Sequence, residues 1–195
     1  DKIRFNPGYV SDESKIAEVV AACKRNGVPV RVGVNSGSVE KRVLEKYSGA
    51  VALAESALCH VAVLEKFGFY DTVISVKSSS VRETVEAYEY LSGKCDYPLH
   101  LGVTESGSAL RGAVKSSVGI GALLLKGIGD TIRVSLTGDP REEVKVAKLI
   151  LGSLGLKNCG AEIVSCPTCS RCEYDAESVV RALEEATAKI TKPIK

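Results

Sequence analysis

Short β-branched, apolar runs alternate along the chain with longer stretches whose apolar residues recur at helical spacing. The short runs predict strands that are covered on both faces, as parallel strands are, at residues 2–6, 28–35, 72–77, 99–104 and 131–136. The longer stretches predict amphipathic helices at residues 11–26, 38–47, 52–67, 80–92 and 142–151. Such alternation is typical of parallel βα units, and we therefore expect a barrel or a doubly wound sheet.

Polar groups follow each predicted strand at its carboxyl end, as in the segments NSGS at 35–38 and TESG at 104–107. Ordinary turns explain one such group, but five in succession favour the converging strand ends of a (β/α)8 barrel, where the active site lies. A complete barrel needs about 250 residues and eight strands. We therefore expect the chain to be a piece of a longer protein, cut at both ends.

The pattern changes after residue 151, where two glycines and two leucines end the last helix of the repeat. A further apolar strand is predicted at residues 160–165, followed at once by the segment CPTCSRC at 166–172 and by a helix at 176–190. This change predicts a domain boundary near residues 152–160.

The composition is that of a globular protein with a substantial core, at 45% hydrophobic and 26% charged residues. The 26 Lys and Arg nearly balance the 24 Asp and Glu, which argues against nucleic-acid binding and requires any anion site to be local. We find no leader pattern and no apolar run of about 18 residues, and so expect no membrane association. A cytoplasmic location, or a plastid stroma, is the expectation.

Three of the seven cysteines lie close together, at Cys166, Cys169 and Cys172. In a reducing compartment such spacing indicates metal or redox chemistry, whereas scattered cysteines are usually small buried residues. Zinc and an iron–sulfur cluster both fit three thiolates, and a redox-active dithiol is a third reading. Iron–sulfur is preferred because neither His60 nor His100 lies near the cysteines in sequence.

Seven segments then carry a resemblance to a known family. In order they are IRFNPG (3–8), RVGVNSGS (31–38), VISVKS (73–78), LGVTESG (101–107), KSSVGIG (115–121), GIGDTIRVSLTGDP (127–140) and SCPTCSR (165–171). They are similar to segments of the 4-hydroxy-3-methylbut-2-enyl diphosphate synthases, iron–sulfur oxidoreductases of the non-mevalonate isoprenoid pathway. The ordered match spans nearly all of residues 1–175, which makes it far more specific than any one glycine motif.

The resemblance implies an α/β fold: the C-terminal part of a TIM barrel like that of dihydropteroate synthase, followed by the start of a small α/β iron–sulfur domain. Residues 1–155 would hold the last five βα units and residues 156–195 the beginning of the cluster domain. It also implies a [4Fe-4S] cluster, a homodimer, and ferredoxin or flavodoxin as the electron donor. The implied reaction is the reductive ring opening and dehydration of 2-C-methyl-D-erythritol 2,4-cyclodiphosphate.

Carried over by position, the resemblance assigns the substrate-binding role to Arg4, Asn6, Arg31, Asn35, Lys77, Arg133 and Ser135. Guanidinium and ammonium groups at converging strand ends suit a dianionic diphosphate. Glu105 is implied as a catalytic group near the hydroxyl that is lost.

Cys166 and Cys169 match the first two cluster ligands of the family. Its remaining ligands, a later Gly-Cys segment and a glutamate, are not in this chain, and Cys172 matches no required ligand. Two alternatives stay open: a redox-inert, phosphate-binding TIM-barrel transferase with a structural cysteine turn, and a zinc-stabilised module without catalysis.

Overall fold

The computed structural model describes residues 2–6, 12–158, 160–166, 168–188, 190, 192 and 194. Within these ranges five strands are seen: β1 (Ile3–Phe5), β2 (Val30–Asn35), β3 (Thr72–Lys77), β4 (His100–Leu101) and β5 (Thr131–Ile132). The helices are α1 (Glu13–Asn26), α2 (Lys41–Leu44), α3 (Gly49–Lys66), α4 (Val81–Ser92), α5 (Ala109–Leu124), α6 (Pro140–Ser153) and α7 (Ala176–Thr187). Strands and helices therefore alternate as the sequence predicts.

The strands run parallel in chain order. One sheet has the order β1-β2-β3 and a second pairs β4 with β5, and a parallel bridge from Ile74 to Leu99 connects the two. Tyr88 of α4 strengthens this join, since its hydroxyl donates to the His100 carbonyl at 2.5 Å and accepts from the Val76 amide at 3.2 Å. The described strands thus form an open parallel arc that does not close into a barrel.

Apolar side chains on one side of the arc pack under the helices. Val32, Val34, Ile74, Val76 and Leu101 have no exposed surface. They lie under a helical layer whose own buried side chains include Leu53, Tyr88, Leu91, Ile120 and Leu123. Each large aliphatic side chain buried in this way contributes about 1.5–3 kcal/mol, so this layer holds the arc in shape.

Several predicted elements differ from the structure in extent. The strand at 72–77 is confirmed, whereas those at 99–104 and 131–136 are shorter, as β4 and β5. The helix predicted at 38–47 is wrong in part: a 3-10 turn at Ser36–Ser38 precedes the short α2. Residue 11, the predicted start of the first helix, lies outside the described residues, and α1 begins after the Asp12 cap, which accepts from the Ser14 amide.

Helix α5 was not among the predicted helices, because Gly112, Gly119 and Gly121 lower its intrinsic propensity. Two of these glycines serve packing instead. A Cβ built on Gly112 would lie 2.6 Å from Leu136, and one on Gly119 would lie 2.9 Å from Val103. The glycines therefore let α5 approach the strands closely.

The chain divides into two compact units, residues 1–147 and 148–195. In the second unit α7 begins after Asp175, whose carboxylate accepts from the Ser178 amide at 3.2 Å. The strand predicted at 160–165 is wrong for the described residues, which show only an isolated parallel bridge between Ala161 and Ile194. The assignment of residues 1–155 and 156–195 to a barrel domain and a cluster domain stays a prediction.

Among the described residues, no helix combines the length and the apolarity that crossing a bilayer requires.

Candidate functional site

The register of the strands places at least one polar residue from each of the five on the same side of the arc. Arg4 pairs with Arg31, Asn35 pairs with Lys77, and His100 pairs with Thr131. Because side chains alternate along a strand and paired residues share a face, these groups project away from the helices. The apolar residues between them face the helices. The concave side of the arc is therefore polar, unlike the apolar interior layers usual in such barrels.

One row across this concave side joins Lys77 to Arg133 through Gly102. Lys77 lies three residues beyond Ile74, and Gly102 lies three beyond its partner Leu99. A Cβ built on Gly102 would stand 2.9 Å from Lys77 Nζ and 2.6 Å from the Arg133 carbonyl oxygen. The absence of a side chain at residue 102 thus provides the space that the Lys77 ammonium occupies.

A second glycine makes room for Arg4. The Arg4 guanidinium crosses the neighbouring strand β2, where its Nη2 donates to the Gly33 carbonyl at 3.1 Å. A Cβ on Gly33 would lie 2.6 Å from Arg4 Nε. Both cations therefore lie flat over glycines of the adjacent strand.

Arg4, Arg31, Lys77 and Arg133 act on one another electrostatically, and we call these four residues the cationic cup. Burial, followed by Arg31, Arg133 and Arg4, lowers the pKa of Lys77 to about 7. Burial, together with Arg4 and Arg133, also lowers the pKa of Arg31. Because these four cations repel one another, an anion placed among them would reduce that repulsion.

His100 also faces the cup, and the sequence reasoning did not select it. Its Nδ1 lies 2.8 Å from Thr131 Oγ1, and its Nε2 is buried without a partner in the described part of the chain. Burial, and then Lys77 and Arg31, lowers the pKa of His100 to about 3. The imidazole is therefore neutral and adds no charge to the cup. The pairing register of the strands, which places His100 on the same face as Lys77, identifies this residue.

Glu143, on the first turn of α6, is a second residue that the sequence reasoning missed. Its Oε1 accepts from the Leu136 amide at 3.0 Å, and its Oε2 lies 3.9 Å from Arg133 Nε. It raises the pKa of Lys77, in opposition to the arginines. A carboxylate thus borders the cup where the segment after β5 turns into α6.

The other predicted substrate ligands occupy the rims of the strands. Asn35 ends β2, with its amide donating to Ser38 Oγ at 2.9 Å. Asn6 and Ser135 are half-buried just after β1 and β5. The structure brings the four cations together, but among the described residues no side-chain hydrogen bond joins Asn35 or Ser135 to them.

Glu105 lies three residues beyond Gly102, in the segment between β4 and α5. It is exposed, and its backbone has φ +52°, the left-handed region that side chains other than glycine seldom adopt. Strain of this kind, about 1–2 kcal/mol, is frequent at functional positions.

Cys166 and Cys169 lie in the second unit and are both exposed. Backbone and side-chain hydrogen bonds from Arg171 lower the pKa of the Cys169 thiol, which favours the thiolate that soft metals bind. The Cys172 amide donates to the Cys169 carbonyl at 2.9 Å, and its thiol donates to the Tyr174 carbonyl at 3.2 Å. No group of three or more potential metal ligands converges within the described ranges.

Comparison with known proteins decides the family. A profile of the GcpE TIM-barrel domain matches residues 1–148, which include all four residues of the cup. The chain belongs to the GcpE family. The match ends close to the division between the two compact units, after residue 147. The arc of five described strands thus belongs to a GcpE TIM-barrel domain, which supports the α/β barrel part of the predicted fold class.

Curated relatives carry the name 4-hydroxy-3-methylbut-2-en-1-yl diphosphate synthase (flavodoxin). The protein of that name from Caldanaerobacter subterraneus subsp. tengcongensis is 54% identical over all of this GcpE chain, which corresponds to 56% of the relative. That from Ruminiclostridium cellulolyticum is 55% identical, again over 100% of this chain and 56% of the relative. That from Geobacillus thermodenitrificans is 52% identical over 100% of this chain and 53% of the relative. The chain spans a little over half the length of these relatives.

Proposed function

We propose that the intact protein catalyses the reductive ring opening and dehydration of 2-C-methyl-D-erythritol 2,4-cyclodiphosphate to 4-hydroxy-3-methylbut-2-enyl diphosphate. The observation that carries this proposal is the cationic cup on the concave face of a GcpE TIM barrel. Its four cations match a substrate whose two phosphoryl groups are linked in one ring. The family assignment and the names of the relatives select this cyclic diphosphate among anions of similar charge.

In this proposal the cup binds the diphosphate. The guanidinium groups of Arg4, Arg31 and Arg133 donate paired hydrogen bonds to phosphoryl oxygens, and Lys77 adds a point charge. Because Lys77 is only 7% exposed, its field acts on the ligand with little screening by water. As the ring opens, negative charge grows on the released phosphoryl oxygen, and the same cations stabilise it.

Three amide or hydroxyl side chains complete the proposed contacts. Asn35 pairs in register with Lys77 at the end of β2, and Asn6 and Ser135 follow Arg4 and Arg133 by two residues beyond β1 and β5. They orient the polyol part of the substrate or donate hydrogen bonds to phosphoryl oxygens that the cations leave free. Glu105 orients, or donates a proton to, the hydroxyl that leaves as water, and its left-handed backbone supports a functional position.

The cysteine turn fits part of a [4Fe-4S] site. Two exposed cysteines separated by two residues, one with a favoured thiolate, are suitable donors for such a cluster. The described residues do not complete a ligand set, however, and so the remaining ligands are proposed to come from the rest of the protein. A bound cluster would pass to the substrate the electrons that flavodoxin delivers.

We further propose that residues 1–155 are the substrate-binding barrel segment and that residues 156–195 begin the cluster domain. The end of the family match at residue 148 supports a boundary in this region. Flavodoxin is favoured over ferredoxin as donor because the relatives carry it in their names. A homodimer in the cytoplasm completes the proposal.

The test is turnover of the cyclic diphosphate by the intact protein, reconstituted anaerobically with iron and sulfide and supplied with reduced flavodoxin. The expected result is a brown protein that forms the linear diphosphate. Lys77→Met removes turnover, whereas Lys126→Met, which removes an exposed ion pair with Glu89, retains it. A colourless protein that holds zinc and leaves the cyclic diphosphate unchanged would overturn the proposal and favour the zinc-stabilised module.

A further inference from the structure

Glu143 stands where the cup meets α6, and both oxygens of its carboxylate are engaged. One accepts from the Leu136 backbone amide at 3.0 Å and the other faces Arg133 at 3.9 Å. The Glu143 side chain is only 20% exposed, whereas the Arg133 side chain is 57% exposed. The acid is therefore the less exposed partner of this pair. In an ordinary surface ion pair both side chains are exposed to water.

The hydrogen bond to Leu136 fixes the segment that leaves β5. Leu136 follows Ser135 directly, and the Ser135 carbonyl lies against α5 at Gly112. With the amide of Leu136 held by Glu143, the strand end carrying Arg133 and Ser135 is fastened on two sides. The position of these two side chains consequently depends on a residue of the next helix.

The second oxygen bears on the charge balance of the cup. The groups that act on Lys77 are Arg4 from β1, Arg31 from β2, Arg133 from the end of β5 and Glu143 from α6. His100 of β4 also faces Lys77 but is neutral. Among these groups, Glu143 is the one that favours the protonated ammonium.

We propose that Glu143 is a positioning residue of the cup, which holds the end of β5 through Leu136 and offsets the positive charge of the cup through the carboxylate oxygen that faces Arg133. The two roles are separable in chemistry. A glutamine at residue 143 keeps an oxygen for the Leu136 amide but carries no charge. An aspartate keeps the charge but is one methylene shorter, and so it loses the reach to Leu136.

The sign of the electrostatic effect follows from the groups named. Loss of the negative charge at residue 143 lowers the pKa of Lys77 further below its value of about 7. The ammonium form then persists only at lower pH. Anion binding that depends on this form therefore weakens at neutral pH and recovers on acidification.

Binding of inorganic pyrophosphate to the intact protein, followed by calorimetry from pH 5.5 to 9, tests the inference. In Glu143→Gln we expect the midpoint of the pH profile to move about 0.5–1 unit lower, with a threefold to tenfold loss of affinity at about pH 7.5. Glu143→Asp keeps the midpoint but loses affinity at every pH. Glu142→Gln is the matched control, because the neighbouring Glu142 pairs at the surface with Lys145 at 2.6 Å and should change neither quantity.

A Glu143→Gln profile that superposes on that of the unmodified protein would overturn the electrostatic role. Equal losses of pyrophosphate affinity in Glu143→Gln and Glu143→Asp, with the midpoint of the pH profile unchanged, would show that the residue is merely structural. That result would overturn the electrostatic role as well. The inference uses the proposed function only for the identity of the natural ligand. If pyrophosphate binds as expected but the cyclic diphosphate is not turned over, the proposed function fails and the role of Glu143 stands.

Discussion

The ammonium of Lys77 occupies the space over Gly102 that any side chain on residue 102 would fill. The same glycine lies against the backbone of Arg133, directly after β5. The absence of a Cβ at residue 102 thus lets both the buried Lys77 ammonium and the Arg133 backbone lie close to this glycine.

Gly102→Ala should weaken pyrophosphate binding by tenfold or more, because the added methyl group displaces Lys77 and the β5 backbone together. Overpacking of this kind also destabilises by about 1–3 kcal/mol. Gly121→Ala is the matched control, since a Cβ there meets nothing within 4 Å. In helix α5 that change should raise stability by about 0.5–1 kcal/mol. Calorimetry and thermal unfolding measure both effects, and equal affinities in the two variants would contradict the role of Gly102.

The pKa of Lys77, lowered to about 7, makes anion binding dependent on pH. Above pH 7 the lysine loses its proton, and pyrophosphate affinity should then fall by up to about tenfold per pH unit. Lys77→Arg should flatten this limb, because a guanidinium stays charged throughout the range. Ionisation of pyrophosphate itself affects both proteins alike, so the difference between their profiles isolates Lys77. Parallel profiles would show that Lys77 does not titrate in this range.

Burial and its cationic neighbours also make Lys77 a source of pH-dependent stability. Its pKa is lower in the folded than in the unfolded protein, so the unfolded chain binds more protons between about pH 7 and 10.5. The free energy of unfolding should therefore rise across this range in the unmodified protein. Lys77→Met should reduce that slope in urea titrations at several pH values, and an unchanged slope would contradict the shift.

Glu105→Gln should lower turnover of the cyclic diphosphate by about 100-fold or more, as loss of a proton-transfer group does. Its backbone stays in the left-handed region, so stability should not change. Glu105→Gly should lower turnover equally while relieving strain of about 1 kcal/mol. Steady-state rates and thermal unfolding separate the two effects, and near-normal turnover in Glu105→Gln would remove this residue from the mechanism.

A buried polar cluster fastens the segment after β2 to α3. The Glu40 carboxylate accepts from Ser56 Oγ at 2.6 Å and pairs with His60 Nε2, while the His60 ring packs edge-on against Phe5. Glu40→Ala should destabilise by about 2–4 kcal/mol because it leaves these groups without their partner. Arg42→Ala removes an exposed partner 3.5 Å away and should cost under about 1 kcal/mol. Equal losses in urea unfolding would contradict the importance of the cluster.

A β-branched, apolar run was sufficient to predict β3 at its observed bounds, because all six of its residues are buried, as in a parallel strand that is covered on both faces. The sequence pattern was not sufficient for α5, whose glycines serve close packing that only a folded structure reveals. Residues 160–165 show the opposite failure. Their apolar run resembles a buried strand, but the described part of the second unit gives it a partner only at Ala161.

The four cations of the cup were all selected from the sequence, since their motifs carried the family resemblance. Gly33 and Gly102 were not selected, because a glycine that makes room for a distant side chain looks like any other glycine in a strand. His100 and Glu143 were missed for a related reason. Their roles depend on neighbours 31 and 7 residues away, at Thr131 and Leu136.

The two faces of β3 have a consequence for how this protein tolerates mutation. Ile74 and Val76 face the helices, whereas Ser75 and Lys77 face the cup. Substitutions at consecutive residues should thus fail for different reasons, one set through loss of folded protein and the other through loss of ligand recognition in a protein that still folds. In a library of single substitutions along β3, measured separately for protein abundance and for activity, the two kinds of loss should alternate from one residue to the next. Alternate residues of this short strand therefore determine two separate properties of the protein, its folding and its ligand recognition.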